Sequence, residues 1–254
     1  MTTGSAIGSA VGTGTGFAAS GNPSRPAFDP STLYAGGKKG IWIKPRDWST
    51  LRQSHLGTGA VTVATDPVGY AADQSGNAVN MVNANAPGRP LAITVGSVNA
   101  IDFDGVDDKL RTDPVSAGTW TTMDMFVVLY LDAAASVLLI QDNAGKYIGV
   151  AQNGSGTTAT TSAGSPSYMV NGASVPGGAS VTRDQLYDAL SFGAWVVIEA
   201  HGLDLSAWTN LQTGDESGFQ LNGKCAELIL CEPVSDAVRA RVRTYLGAAV
   251  GLTL

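Results

Sequence analysis

The chain has 254 residues, of which only 14% are charged, and its formal net charge at pH 7 is −6. It carries no basic stripe that would neutralise phosphates, so we expect no nucleic-acid partner. No apolar run approaches the roughly 18 residues that a membrane-spanning helix needs, so we expect no membrane partner either. The N-terminus lacks the basic and apolar regions of a conventional signal peptide, and we expect the protein to be made and used from the cytoplasm.

Residues 1–27 consist mostly of Gly, Ser, Ala and Thr, with single apolar side chains at Ile7, Val11 and Phe17. A segment of this composition cannot form a hydrophobic core by itself. We expect an extended N-terminal arm whose three apolar side chains contact other proteins in an assembly, and an unstructured tail is the alternative. Residues 28–254 are long enough for one large domain with one core.

Short apolar runs alternate with turn residues throughout 28–254, which predicts an all-β sandwich. Residues 123–131 form a long apolar strand, and residues 195–201 form another. Residues 137–141 and 147–152 flank the turn sequence Asp-Asn-Ala-Gly and are predicted to pair as a hairpin. Thr182 can cap a short helix that reaches Leu190.

The next predicted strand, residues 224–232, is apolar on both faces, which is typical of a central strand. One face carries Ala226, Leu228 and Leu230, and the other carries Cys225, Ile229 and Cys231. The two cysteines are six residues apart, roughly 20 Å at 3.3 Å per residue, which a disulfide cannot span. We therefore expect two buried thiols, and a bridge between subunits is the alternative.

An amphipathic helix follows this strand, from Ser235 to about Val250. Ser235 can cap the helix, and apolar residues recur at helical spacing along it. The same spacing places Arg239, Arg241 and Arg243 mostly on the solvent side. We expect the helix to dock on a sheet through its apolar face.

Three segments carry a resemblance to a known family: GKCAELILCEPVSDAVRARVRTYLGAAVGL at 223–252, IDFDGVDDKL at 101–110, and GIWIKP at 40–45 with PVG at 67–69, DQSGN at 73–77 and GRP at 88–90. Together these segments span residues 28–252 and follow one another along the chain in the order of the family. They resemble the concanavalin A-like (laminin-G-like) jelly-roll domains of tailed-phage virion proteins. The resemblance implies a jelly-roll sandwich with a C-terminal helix. The family has structural, adhesive and glycan-binding members, so the fold does not select among these functions.

No catalytic motif is recognisable in the sequence. His55 and His201 lie outside any nucleophile motif. The Glu-x-Asp-x-x-Glu motif of concanavalin A-like glucanases is missing, and Glu199 and Glu227 lie in apolar strands without a second carboxylate two residues away. We expect Glu227 to be a buried carboxylate that accepts hydrogen bonds from loop backbone. We therefore expect a protein that is not an enzyme and has no cofactor.

An acidic turn and three tryptophans are the candidate binding residues. Asp104, Asp107 and Asp108 surround a tight turn, and oxygen-rich loops of this kind can hold calcium. Turn chemistry alone also explains these residues, and we expect no metal. The surface candidates for sugar stacking are the tryptophans next to loop signals, Trp48, Trp120 and Trp208.

The combined hypothesis is a structural component of a tailed-phage virion, as a head decoration, collar, tail or fibre protein, assembled in the host cytoplasm. Its partners are expected to be other virion proteins, bound through the N-terminal arm, and further copies of the same chain. The alternative function is a glycan-binding adhesin that recognises host-surface polysaccharide. A third hypothesis, a polysaccharide depolymerase, would require two exposed carboxylates roughly 5 to 10 Å apart.

Overall fold

The structure, a computed structural model, describes Met1 and residues 27–112, 120–132, 137–142, 144–150, 157–214 and 221–254. This part of the chain contains sixteen strands and two α-helices. The strands, in chain order, are β1 (Gly40–Ile43), β2 (Leu51–Arg52), β3 (Tyr70–Ala71), β4 (Met81–Val82), β5 (Leu91–Val95), β6 (Val98–Asp104), β7 (Leu110–Thr112), β8 (Met123–Leu131), β9 (Val137–Gln141), β10 (Tyr147–Val150), β11 (Thr160–Thr161), β12 (Ser167–Val170), β13 (Ala173–Ser174), β14 (Trp195–Leu203), β15 (Gln212–Thr213) and β16 (Asn222–Cys231). The helices are α1 (Arg183–Asp188) and α2 (Asp236–Ala249).

The strands form two antiparallel sheets of eight strands each. In the first sheet the order is β13-β12-β14-β8-β16-β6-β5, and β1 also pairs with β16. In the second sheet the order is β11-β10-β9-β15-β7-β4-β3-β2. The all-β prediction is therefore confirmed, together with the central position of the strand near residues 224–232. The N-terminal arm, including Ile7, Val11 and Phe17, lies outside the described residues.

The first sheet is buried on both faces, and the sequence of β8 shows why. Side chains alternate between the faces of a strand. Met125 and Val127 of β8 belong to the large core between the two sheets, which we call the inner core. Phe126 and Val128 point to the opposite face and belong to a second cluster, the outer core. A strand with both faces buried must be apolar nearly throughout, and this accounts for the continuous apolar run of β8.

The helix α2 covers the outer core. Val242 and Leu246, one turn apart, are fully buried against the outer face of the first sheet. Ser235 occupies the N-cap position with extended backbone, as predicted, although its side chain makes no capping hydrogen bond. The molecule is therefore layered in the order second sheet, inner core, first sheet, outer core and α2.

A β-bulge changes the faces that we predicted for β16. The pairing of β16 with β8 shifts register between Cys225 and Glu227. As a result Cys225 shares the inner core with Leu228 and Leu230, whereas Ala226 joins the outer core. Our strict alternation assigned Cys225 and Ala226 to the wrong faces, because a bulge adds one residue without changing the composition of the strand. Ile229 and Cys231 share one face of β16, the outer face, as we predicted.

The predicted hairpin and the predicted Thr182 cap are confirmed, although α1 ends at Asp188 and not at Leu190. β9 and β10 pair as an antiparallel hairpin. Thr182 caps α1 through a capping box, in which its side chain accepts from the Gln185 backbone N–H while the Gln185 side chain accepts from the Thr182 backbone N–H. Of the helices that the structure describes, neither is long and apolar enough to cross a membrane.

Candidate functional site

Three fully buried carboxylates lie on the face of the first sheet that α2 covers. They are Asp124 on β8, Glu199 on β14 and Glu227 on β16, each with 0% of its surface exposed. The strands β14, β8 and β16 are neighbours, so the three acids form a row across the centre of the sheet. A buried charge without a partner is costly, so each acid in this carboxylate row needs a cationic or hydrogen-bonding partner.

Glu199 is paired with an arginine of α2 and with a histidine of its own strand. Arg243 donates from Nε and Nη2 to the two Glu199 oxygens at 2.5 and 3.0 Å. His201 Nε2 lies 3.1 Å from Glu199 Oε2. Burial is the largest influence on this carboxyl and raises its pKa, but the hydrogen bonds and charges of His201 and Arg243 together outweigh burial and hold the pKa of Glu199 below its usual value. Glu199 is therefore ionised, and it ties α2 to β14.

Asp124 joins β8 to the beginning of α2. Arg239 donates to its two oxygens from Nε at 2.9 Å and from Nη2 at 3.2 Å, a bidentate arrangement. The backbone N–H groups of Val234 and Gly202 donate to the same carboxylate at 3.1 and 3.3 Å. Asp124 thus fixes the segment that leads from β16 into α2 as well as the helix itself.

Glu227 completes the carboxylate row. It accepts from Arg46 Nε at 2.5 Å, from Trp42 Nε1 at 2.7 Å and from the Tyr245 hydroxyl at 3.0 Å. We predicted that Glu227 is buried and bonds loop backbone. Its burial is confirmed, but these partners are side chains, contributed by β1, the following loop and α2.

The prediction that Arg239 and Arg243 lie mostly on the solvent side of the helix is wrong. The two arginines are four residues apart, so they lie on one side of α2, and their aliphatic stems run along the sheet while the guanidinium groups reach the carboxylates. A signal for this pairing was present in the sequence, because Glu199 and Glu227 lie inside apolar strands and require cations. The sequence did not indicate which cations these would be.

The side of α2 that faces away from the carboxylate row forms the floor of an open groove of about 650 Å³, which we call the α2 groove. Its floor is a line of small, exposed helix residues, Ala237, Ala240, Thr244 and Ala248. The aromatic rings of Phe28 and Tyr245 form its rim and pack edge to face, with their centroids 6.1 Å apart. Ala27, the residue before Phe28, also lines the groove.

A stacking cation holds the rim of the α2 groove in place. The guanidinium of Arg241 lies 5.0 Å from the centroid of the Phe28 ring, within the range of a cation–π contact. On the other side of Tyr245, Arg46 Nη2 donates to the Tyr245 hydroxyl at 2.6 Å. The rim is therefore continuous with the network around Glu227, and the groove is a preformed feature of the fold.

The structure buries two of the three tryptophans that we predicted to lie at the surface. Trp208 is 2% exposed, and its Nε1 donates to the Ser162 carbonyl at 2.8 Å. Trp120 is 5% exposed. Our expectation that these two are surface residues is wrong, because the loops beside them fold the indole rings into the inner core. Trp48 is partly buried and packs against the same core, so it keeps some accessible surface.

The acidic turn between β6 and β7 does bring its side chains together. One carboxylate oxygen from each of Asp104, Asp107 and Asp108 lies within 4.8 Å of the others. The carboxylates also make local turn contacts, since Asp104 Oδ1 accepts from the Val106 backbone N–H at 2.8 Å and Asp108 Oδ2 accepts from the Asp104 N–H at 2.9 Å. These oxygens are of the type that calcium prefers, but the turn contacts account for them without an ion.

Comparisons with known proteins find similarity among solved structures. No protein-family profile and no curated protein sequence matches the chain. The fold is similar to Trypanosoma rangeli sialidase in complex with the inhibitor DANA, with a TM-score of 0.45 and 13% identity over 85% of this chain and 34% of that chain. It is also similar to the same sialidase in complex with sialic acid, with a TM-score of 0.41 and 12% identity over 89% and 38% of the two chains.

These comparisons correct one expectation from the sequence. We expected a protein that is not an enzyme, but the two solved structures above are of an enzyme, so we withdraw that expectation. The chain spans little more than a third of the sialidase chains. At this level of similarity the likeness assigns no activity and no substrate to this chain.

Proposed function

We propose that this protein is a structural component of a tailed-phage particle and that residues 1–27 attach it to neighbouring proteins. One observation carries the proposal: Ala27, the last residue of this segment, lies on the α2 groove, on the outside of the molecule and away from the inner core. A segment that leaves the domain at this point is available to a neighbour. The placement in a phage particle rests on the sequence resemblance described above.

The chemistry of residues 2–26 suits attachment. Arg25 is their only charged residue, and most of the others are Gly, Ser, Ala or Thr. A partner therefore buries this segment with little cost in desolvated charge. Backbone hydrogen bonds to a strand of the partner would supply affinity, and the apolar side chains Ile7, Val11 and Phe17 would supply specificity.

The carboxylate row supports the same role in another way. Ion pairs and hydrogen bonds to Asp124, Glu199 and Glu227 hold α2 and the segment before it against the sheet. A component of a particle must transmit contacts between neighbours without changing shape. A helix that is fixed at several points along its length provides such a rigid attachment surface.

The experiment compares three chains for binding to particles that lack this protein. These are the full chain, a chain that begins at Phe28, and a full-length variant in which Ile7, Val11 and Phe17 are replaced by serine. We expect the full chain to co-sediment with the particles and the other two to stay in the supernatant. The serine variant is the matched control, because it keeps the length of the segment and loses only its three apolar side chains.

Equal co-sedimentation of the full chain and the chain from Phe28 would contradict the proposal. Attachment would then depend on the surface of residues 28–254, and the search would move to the loops around Trp48 and the acidic turn. If none of the three chains binds, the role in a particle is wrong.

A further inference from the structure

The α2 groove is exposed and apolar, although helices of folded proteins usually present polar residues to solvent. Its floor residues, Ala237, Ala240, Thr244 and Ala248, are all exposed. A volume of about 650 Å³ lies within the range of roughly 300–1,000 Å³ that is typical of binding pockets. Small side chains along one helix face also allow a second backbone to approach closely. The groove therefore has the shape and chemistry of a site for an extended, weakly polar segment.

We propose that the α2 groove binds residues 2–26 of a second copy of this chain. The inference rests on the proposed function in one respect, because it uses the same segment as the element of assembly. It adds the partner, another copy, and the receiving surface, the α2 groove.

The pattern of residues 2–26 matches the groove. Ile7, Val11 and Phe17 are separated by four and six residues, and even separations place side chains on one face of an extended segment. That face would present three apolar side chains in a line. The residues between them are mostly small, like the alanines and threonine of the groove floor, so the two backbones can lie close together.

The sequence of the segment favours an extended form that can reach a second copy. Pro23 and Pro26 fix their own backbone, and each disfavours helical conformation in the residue before it. Fully extended, 25 residues reach about 80 Å, whereas the 14 residues of α2 span about 21 Å, so the segment is long enough to cross to a neighbour.

Exchange of a terminal segment between identical chains is a low-cost route to association. If two copies exchange segments reciprocally, each groove is filled and the dimer closes. If each copy binds the next one, a ring or a chain of copies forms. Both arrangements use the same contact, so the contact itself is what the experiment must test.

The experiment measures the mass of the full chain by analytical ultracentrifugation over a range of concentrations. Three full-length variants are compared with it. Ala240→Glu places a charge on the groove floor, and Phe17→Asp places a charge in the segment. Ala64→Glu introduces the same charge at an exposed turn residue outside the groove and serves as the matched control. Thermal unfolding of each variant, followed by circular dichroism, shows that all are folded.

We expect the full chain and Ala64→Glu to associate. Ala240→Glu and Phe17→Asp should each raise the dissociation constant roughly tenfold or more, so that these variants sediment closer to the 25.9 kDa mass of the monomer. The decisive sample is an equimolar mixture of Ala240→Glu and Phe17→Asp. The first variant keeps an intact segment and the second keeps an intact groove, so the mixture should associate although neither variant does so alone.

A full chain that stays monomeric at every concentration overturns the inference. So does association that survives both substitutions, or a mixture that at the highest concentration associates no more than either variant alone. Co-sedimentation with particles separates this inference from the proposed function. Self-association without particle binding would refute the function alone, and particle binding by a monomeric chain would refute the groove contact alone.

Discussion

Asp108 is a carboxylic acid whose ionisation is strongly affected by the fold. Its side chain lies in a residue that is 6% exposed. Burial raises the pKa of Asp108 to about 6, and the charges of Asp104, Asp107 and Asp102 act in the same direction. The hydrogen bond from the Asp104 backbone N–H acts in the opposite direction but is outweighed. In the unfolded chain the pKa of an aspartate is about 3.9. The folded protein therefore binds this proton more tightly, and stability should rise as the pH falls from about 6 to about 4.

We predict that Asp108→Asn stabilises the protein near neutral pH. The amide keeps an oxygen for the Asp104 N–H and removes the buried charge, so the gain should be on the order of 2 kcal/mol above about pH 7 and should vanish near pH 4. Urea unfolding of both proteins across this pH range measures the difference. Asp107→Asn is the control: it removes an exposed neighbouring charge but keeps the Asp108 carboxyl, so a pH-dependent rise should remain.

The two cysteines give a second prediction for single residues. Both are buried and free, and burial raises the pKa of each thiol to about 12. Only the thiolate reacts quickly, so neither thiol should react with a disulfide reagent at about pH 8 while the protein is folded. Addition of guanidinium should release two reactive thiols per chain. Rapid reaction of the native protein would mean that the packing around β16 opens readily.

Among the elements, α2 depends on its ion pairs with the carboxylate row. We predict that Arg243→Met destabilises the protein by about 3–5 kcal/mol, because Glu199 would stay fully buried and would keep His201 as its remaining partner among the described side chains. The double variant Glu199→Met with Arg243→Met should recover much of this loss, since it removes both charges from the interior. Urea unfolding of the single and double variants gives the coupling between the two residues.

Arg241→Met is the matched control for this cycle. Arg241 lies on the same helix but stacks on the Phe28 ring instead of a carboxylate, so its loss should cost about 1 kcal/mol or less. A loss at Arg243 no larger than that at Arg241 would show that the Glu199 pair contributes little to the attachment of α2.

The type and order of the elements were largely predictable from the sequence, whereas the pairing of side chains was not. The apolar runs of β8 and β14 and the helical spacing of α2 depend on local periodicity, which a sequence displays directly. The bulge at Cys225 depends on the register between two strands, and the burial of Trp208 depends on a loop closing over it. Both are contacts between distant residues, and one sequence contains no direct record of such contacts.

At the level of the whole molecule, α2 completes a layer that the two sheets leave open. Without it the outer face of the first sheet would present Phe126 and Ile229 to water, together with Asp124 and Glu199 stripped of their arginines. Among the described residues, by contrast, the two cores begin at Leu33, after residues 2–26 in the sequence. The two ends of the chain should therefore differ sharply in their importance for folding.

We predict that a chain lacking residues 233–254 does not reach a cooperatively folded state, because its exposed apolar face and unpaired carboxylates oppose the packing of the first sheet. It should bind a hydrophobic dye and unfold without a sharp transition. A chain lacking residues 2–26 should keep its thermal midpoint within about 2–4 °C, which corresponds to roughly 1 kcal/mol for a domain of this size. Circular dichroism during heating tests both shortened chains against the full chain. A sharp native-like transition without α2 would mean that the two sheets fold independently of the helix, and the outer core would then be an attachment surface added to a complete sandwich.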